Sequence, residues 1–253
     1  MDTSRIFLEI CTVSVEDCIT AETQGADRVE LNSALMLGGL TPSLGTLIES
    51  KARVKIPIIS MARPRAAGFN YSAIEFATMQ RDIDLLLEHG ADGIAFGVLK
   101  ADGTVDGERC RAIVRQIGSR EAVFHRAFDV VPDPQRTMEE LVDLGVKRIM
   151  TSGQEASAYN GAANIARYIQ QAAGRVEILP AGGINRFTLE DVVRRTGCTQ
   201  VHASLSGTHR DGSTQARPQV AFGGTLKPSE EEFTGTDARA VERVRQMLDT
   251  NVG

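Results

Sequence analysis

The chain has 253 residues, 42% of them hydrophobic, with no tryptophan, a net charge of −5 and a pI of about 5.5. That length is too great for a minimal domain and suits one large α/β barrel. An acidic balance without a basic run argues against nucleic acid as a partner, and no apolar stretch reaches the roughly 20 residues of a membrane span.

The first residues, Met1-Asp2-Thr3-Ser4-Arg5, run directly into the strand-like Ile6-Phe7-Leu8-Glu9-Ile10. No basic segment followed by an apolar one precedes that strand, so a secretory signal is not expected and a cytoplasmic location is. Cys11, Cys18, Cys110 and Cys198 form no C-x-x-C pair and no zinc spacing, which reads as reduced, scattered thiols.

β-rich runs over residues 6–11, 27–32, 57–62, 92–97, 121–126, 147–152, 175–181 and 200–204 alternate with helical apolar spacing, as in 74–88 and 165–173. Eight such alternations predict an α/β fold, a TIM-type (β/α)8 barrel, better than an open doubly wound sheet, although spacing alone permits both. The expected organisation is a single domain, with the barrel over about residues 6–205 and a tail with a final helix over about 206–253.

Four strands are entered through a glycine, at Gly25, Gly90, Gly145 and Gly197, as suits a left-handed turn closing the preceding helix. Ser14…Asp17, Ser72…Glu75, Thr137…Glu140 and Thr188…Asp191 repeat a hydroxyl three residues ahead of an acid, the pattern of a capped helix start. Thr41-Pro42 and Asp133-Pro134 mark two further starts. Residues 206–236 are rich in Gly, Ser, Thr and Pro and read as a long loop, mobile or serving as a lid. A last helix is expected from Asp237, with Val241, Val244, Met247 and Leu248 on one face.

Loops after the strands' C-terminal ends build the site of a parallel barrel. The densest polar cluster there is Phe124-His125-Arg126-Ala127-Phe128-Asp129. In the first two strands Leu8, Ile10, Val29 and Leu31 share the aliphatic phase, which turns Glu9, Cys11, Glu30 and Asn32 to the other side. If the aliphatic side meets the helices, Glu9 and Glu30 point into the barrel. They would then face guanidinium groups from the third and fifth strands, Arg63 and Arg126, because buried charges need partners.

Arg63 and Arg65 could instead grip an anion bidentately. Ser152 closes the sixth strand, and Gly182-Gly183 would let a ligand approach the backbone closely. His202 ends the eighth strand, and His89 and His209 read as exposed and inert. Each group has a structural alternative: Glu9 and Glu30 as ion-pair partners, Arg63 and Arg65 as loop caps, the glycines as a turn, and the histidines as core residues. Cys11 is the one thiol at the functional end. With a histidine, helped by Met61 or Met36, it makes a thin site for Cu(I), which prefers soft sulfur ligands.

Seven segments carry a resemblance: Leu8-Glu9-Ile10-Cys11, Gly25-Ala26-Asp27-Arg28-Val29-Glu30-Leu31, Gly38-Gly39-Leu40-Thr41-Pro42-Ser43, Arg63-Pro64-Arg65, Phe124-His125-Arg126-Ala127-Phe128-Asp129, Thr151-Ser152-Gly153 and Gly182-Gly183-Ile184. In their order they resemble the copper homeostasis protein CutC family, over about residues 6 to 224. The resemblance implies a TIM-type barrel, a cytoplasmic role in copper handling with Cu(I) held through cysteines, and a homo-oligomer. Two positions depart from it. Asn32 stands where many members have a second cysteine, and Ala66-Ala67-Gly68 replaces the usual Gly-Gly-Asp beside the two arginines.

Two functions are thus expected in parallel. One is a copper-binding or trafficking protein using Cys11. The other is an enzyme on a small phosphorylated or carboxylated metabolite. In the latter Arg63, Arg65, Arg126, Ser152, Gly182, Gly183 and His202 would hold the ligand, and Glu9, Glu30 or His125 would move protons while Asp129 orients His125 or Arg126. A barrel acting only as an interaction platform explains the convergent charges poorly.

Overall fold

A computed structural model describes residues 5–222 and 230–250. Each barrel helix follows the strand before it and covers its outer face. The order is β1 (Phe7–Thr12), α1 (Val15–Thr23), β2 (Arg28–Leu31), α2 (Leu44–Lys51), β3 (Ile58–Met61), α3 (Ala73–Glu88), β4 (Gly93–Phe96) and α4 (Gly107–Ile117). It continues through β5 (Glu121–Phe124), α5 (Pro134–Leu144), β6 (Arg148–Thr151), α6 (Ala162–Ala172), β7 (Glu177–Pro180), α7 (Leu189–Thr196) and β8 (Gln200–Ala203). Every neighbouring pair in the eight-stranded sheet is parallel, and β8 returns to pair with β1. A single parallel bridge between Ala181 and His202 joins β7 to β8, so the cylinder is nearly closed.

The alternation read in β1 and β2 extends around the barrel. Leu8, Ile10, Val29, Leu31, Ile58, Ile94, Phe96 and Phe124 belong to the core shared with the helices. The alternate set faces inward. Ile59, Met61, Ala95 and Val123 form one inner apolar cluster, and Met150, Leu179 and Ala181 form another. The rest of the interior is polar: Glu9, Arg28, Glu30, Gln200 and His202 from β1, β2 and β8 are all buried. The wall of β1, β2 and β8 is therefore ionic, and that of β3 to β7 is hydrocarbon above a buried arginine, Arg148.

The glycines ahead of β2, β4, β6 and β8 all take positive φ, +90°, +95°, +85° and +67°, as the helix-closing turns require. Ser14 and Ser72 each form the complete reciprocal cap. Ser72→Ala removes an acceptor for the Glu75 N–H, so denaturant unfolding should show a loss of about 1 kcal/mol. Other predicted starts differ. Thr137 lies inside α5, whose cap is Asp133 with proline next. Ser43, not Thr41, caps α2. Thr188 begins α7 without a side-chain cap, because its hydroxyl donates to the Gly183 carbonyl instead.

The tail also differs from a bare loop. Residues on either side of it pair as an antiparallel hairpin, β9 (Ser206–Arg210) and β10 (Glu232–Thr236). The amide of Thr236 donates to Asp17 at 2.6 Å, which ties the hairpin base to α1. Residues 223–229, the middle of the predicted loop, lie outside the described residues. The last helix, α8 (Ala238–Thr250), buries Val241, Val244 and Leu248, with Met247 packed at the margin. Its Arg245 donates to the Ile6 carbonyl at 2.9 Å and pairs with Asp27, reaching the start of β1 and the entry to β2.

Candidate functional site

The strand ends on the C-terminal side enclose a cup of about 830 Å³. Most of the predicted site residues lie around it, though not in the predicted pairs. Cys11, Glu30, Arg63, His125, Arg126, Gly182, Gly183 and His202 line the cup. Glu9 sits beneath it, and Asp129 and Ser152 stand behind Arg126. Arg65 does not reach the cup.

The acidic side comes from β1, β2 and β8. Glu9 is paired with Arg28, one strand away, and accepts from His202 Nδ1 at 2.7 Å. Burial alone would raise the Glu9 carboxyl; the Arg28 guanidinium and the His202 hydrogen bond outweigh that and hold it below the usual carboxylate range. Burial would lower the His202 imidazole, yet the bond to Glu9 and the charge of Glu30 raise it. The Nδ1 contact turns Nε2 toward the cup, 3.9 Å from Glu30. Glu30 is pushed up, chiefly by burial. Its Oε2 accepts from Asn32 at 2.8 Å, and Oε1 has no partner among the described residues. Cys11 is raised well above an ordinary thiol by burial and by the charges of Glu30 and Glu9. Donor atoms of Cys11, Glu30 and His202 all lie within 4.8 Å of one another, which makes them a candidate metal cluster.

The expected facing of Glu9 and Glu30 by arginines of the third and fifth strands is corrected here. Arg28 reaches Glu9 from the adjacent strand, so the acid is satisfied before a more distant guanidinium is needed. Arg63 turns away to three backbone carbonyls, those of Leu37 (3.0 Å), Gly39 (2.9 Å) and Ala67 (2.6 Å). It thereby clasps the loops after β2 and β3 and lies over the Phe69 ring. Arg65 is engaged by Glu75 at 2.5 Å and by the carbonyls of Ala66, Gly68 and Asn70, the loop-cap alternative.

Arg126 pairs with Asp129 at 2.7 Å and donates to Ser152 at 2.8 Å. Asp129 thus orients Arg126 rather than His125. It also accepts from the Thr151 hydroxyl and the Ser152 amide, which leaves it a clamp across the ends of β5 and β6. Gly182 and Gly183 have φ of +94° and +72°, and a Cβ on Gly182 would lie 3.2 Å from Arg126 Nη1. The bare backbone there is what admits the guanidinium.

His125 opens a short 3-10 turn, and its Nδ1 accepts from the Ala127 amide at 3.1 Å. Burial and the charge of Arg63 push its pKa from 6.5 down to about 3. The ring is therefore neutral with its proton on Nε2, and Nε2 has no partner among the described residues. That makes it a poor proton mover at neutral pH and a fixed donor. A depressed imidazole stabilises the fold fully above pH 6.5, and that contribution is lost as pH falls toward about 3. Ring-proton NMR should accordingly show His125 in its neutral position down to about pH 4; a midpoint near the ordinary value would contradict this.

Several participants escaped the sequence reading. Arg28 and Arg148 were not singled out, although they form a buried ionic floor: Arg148 reaches Glu121 and Glu177 at 2.7 Å each, and Gln200 bridges Glu177 to Arg28. The signal was the strand phase itself, which places Arg28 inward with Glu30. Gly97 is another. A Cβ there would come within 2.5 Å of the His125 ring, so glycine makes the room that the imidazole fills. From the hairpin, Ser206 and Thr234 contribute to the rim. His89 caps α3 and His209 stacks on Phe233, both away from the cup.

Comparison with known proteins agrees with the fold and with the resemblance carried by the motifs. A family model described as the CutC family matches residues 6–207. A Treponema denticola protein named as a family protein CutC is 49% identical over 92% of this chain and 96% of its own length. A human protein named copper homeostasis protein cutC homolog is 42% identical over 95% of this chain and 88% of its own. A solved Streptococcus agalactiae structure, named for copper homeostasis protein CutC, superposes with a TM-score of 0.75 at 29% identity, covering 78% of this chain and 97% of that one.

Proposed function

The chain belongs to the CutC family, and we propose that it serves copper homeostasis by binding Cu(I) in the cup at Cys11, His202 and Glu30. One observation carries the reading. Glu9 accepts the Nδ1–H of His202 and so presents Nε2 beside the Cys11 thiol and the Glu30 carboxylate. A carboxylate that orients a histidine from behind is the arrangement that metal-ligating imidazoles use. The negative charges that raise the thiol are those a cation would relieve, and binding would release the protons. Cu(I) favours the sulfur; Met61 and Met36 also line the cup and offer thioethers.

The test is anaerobic titration against a chromogenic Cu(I) chelator. Wild type should compete for one equivalent, and Cys11→Ser should lose about 100-fold or more in affinity, beyond the 10–100-fold typical of an outer-shell change. Equal affinity in the two proteins would remove the thiol from the reading. The same reading places the protein in the cytoplasm as a homo-oligomer, without nucleic-acid partners. Among the described residues no helix is long and apolar enough to cross a membrane.

A second reading, a barrel enzyme using acid/base chemistry on a small anionic metabolite, is favoured by Glu30. Glu30 lines the same cup as Arg63 and Arg126, its Oε1 has no partner among the described residues, and burial raises its carboxyl, the direction a general acid needs.

A further inference from the structure

We infer that the wall opposite the thiol, at the ends of β3 and β5, is a seat for the oxyanion of a small molecule, with His125 Nε2–H as its directional donor and Arg63 and Arg126 as its charge. The inference deepens the anionic-metabolite reading by naming where the anion sits, and it needs no turnover.

Three observations converge on it. The first is the donor. Because Nδ1 accepts from Ala127, the neutral ring carries its proton on Nε2, which is buried in the cup wall with no acceptor. The ring cannot turn away to find one. Phe69 lies 4.9 Å from its centroid, and the bare Gly97 backbone closes the other approach. A buried donor held so rigidly awaits an acceptor from outside the chain.

The second is the charge. Arg63 is 6% exposed and bonded to carbonyls alone. Among the described residues it makes no ion pair, and its Nε has no partner. A buried guanidinium with only neutral acceptors lacks a counterion. The third is the outer flank. Asp129 and Ser152 take Nε and Nη2 of Arg126, which leaves the Nη1 edge beside Gly182 at the rim. A donor and an arginine without a counterion along one wall, flanked by the free Nη1 edge of the Asp129-paired Arg126, would repel a metal and attract an oxyanion. The cup is thus divided, cation-seeking at Cys11, Glu30 and His202 and anion-seeking across from them.

Inorganic phosphate and malonate are suitable probes, titrated separately into metal-free protein at constant ionic strength in chloride. Saturable binding of either should move the His125 Nε2–H resonance downfield, and the stronger of the two tells a phosphoryl from a carboxyl ligand. Arg126→Ala and His125→Phe should each weaken binding about tenfold or more, as loss of a charge-assisted or buried hydrogen bond does. Cys11→Ser should leave anion affinity within about twofold while losing copper, since the two walls are separate. No binding beyond chloride overturns the inference, and so does binding that leaves the His125 resonance and the Arg126→Ala affinity unchanged. An anion lost in Cys11→Ser would belong to the other wall and would also overturn it. Failure here with Cu(I) still bound would leave the copper reading standing.

Discussion

Arg28→Met should destabilise the protein by about 3–5 kcal/mol, the cost of leaving a buried carboxylate without its main cation. Glu9 is 1% exposed, and among the described residues its other hydrogen-bond partner is His202. Urea unfolding at neutral pH would measure the loss. Glu9→Gln in the same background should recover part of it, because the amide no longer needs a cation. The pH dependence has a definite sign. A carboxyl held below its ordinary range contributes stability above about pH 4.5 that is lost as pH falls. The acid limb of the wild-type stability curve should therefore be steeper than that of Arg28→Met. Additive losses in the double variant would mean that the pair does not act as a unit.

Asn32→Cys should strengthen Cu(I) binding by about 100-fold or more, a larger step than tuning around an existing ligand set provides. The amide Nδ2 of Asn32 already lies 3.4 Å from Cys11 Sγ, so a thiol at this position would stand beside the first. The space is adequate, since cysteine is the shorter side chain and Asn32 Oδ1 already occupies the room that the missing Cβ of Gly39 leaves. The measurement is the same anaerobic competition, under reductant so that the two thiols do not oxidise. The cost is the amide's bond to Glu30 Oε2, which would weaken the order of that carboxylate. Unchanged affinity would place the metal elsewhere in the cup, or outside it.

The barrel was legible because its scaffold uses local rules. Strand alternation put Leu8 and Ile10 on one side and Glu9 and Cys11 on the other. The helix-closing glycines and two serine caps followed from backbone geometry alone. Which side chains converge was legible from the same phase. Who pairs with whom was not, since pairing depends on distances across strands that primary structure does not contain. Glu9 met Arg28 in the neighbouring strand, and Arg63 was captured by the loops it clasps. The hairpin was missed because its strands are short, polar and glycine-bearing, so they carry no apolar alternation. Arg65 followed Glu75, an acid already assigned to a helix start, and a single residue serving two roles is invisible to a motif search.

The bond from Arg245 to the carbonyl of Ile6 has a consequence for biosynthesis. The first strand of the cylinder is tied to a guanidinium that lies 239 residues downstream of its Ile6 partner. A ribosome-bound chain halted before α8 should remain sensitive to protease around its first strand and become resistant only once that helix emerges. Maturation would then depend on the emergence of α8 more than on the order in which the strands appear.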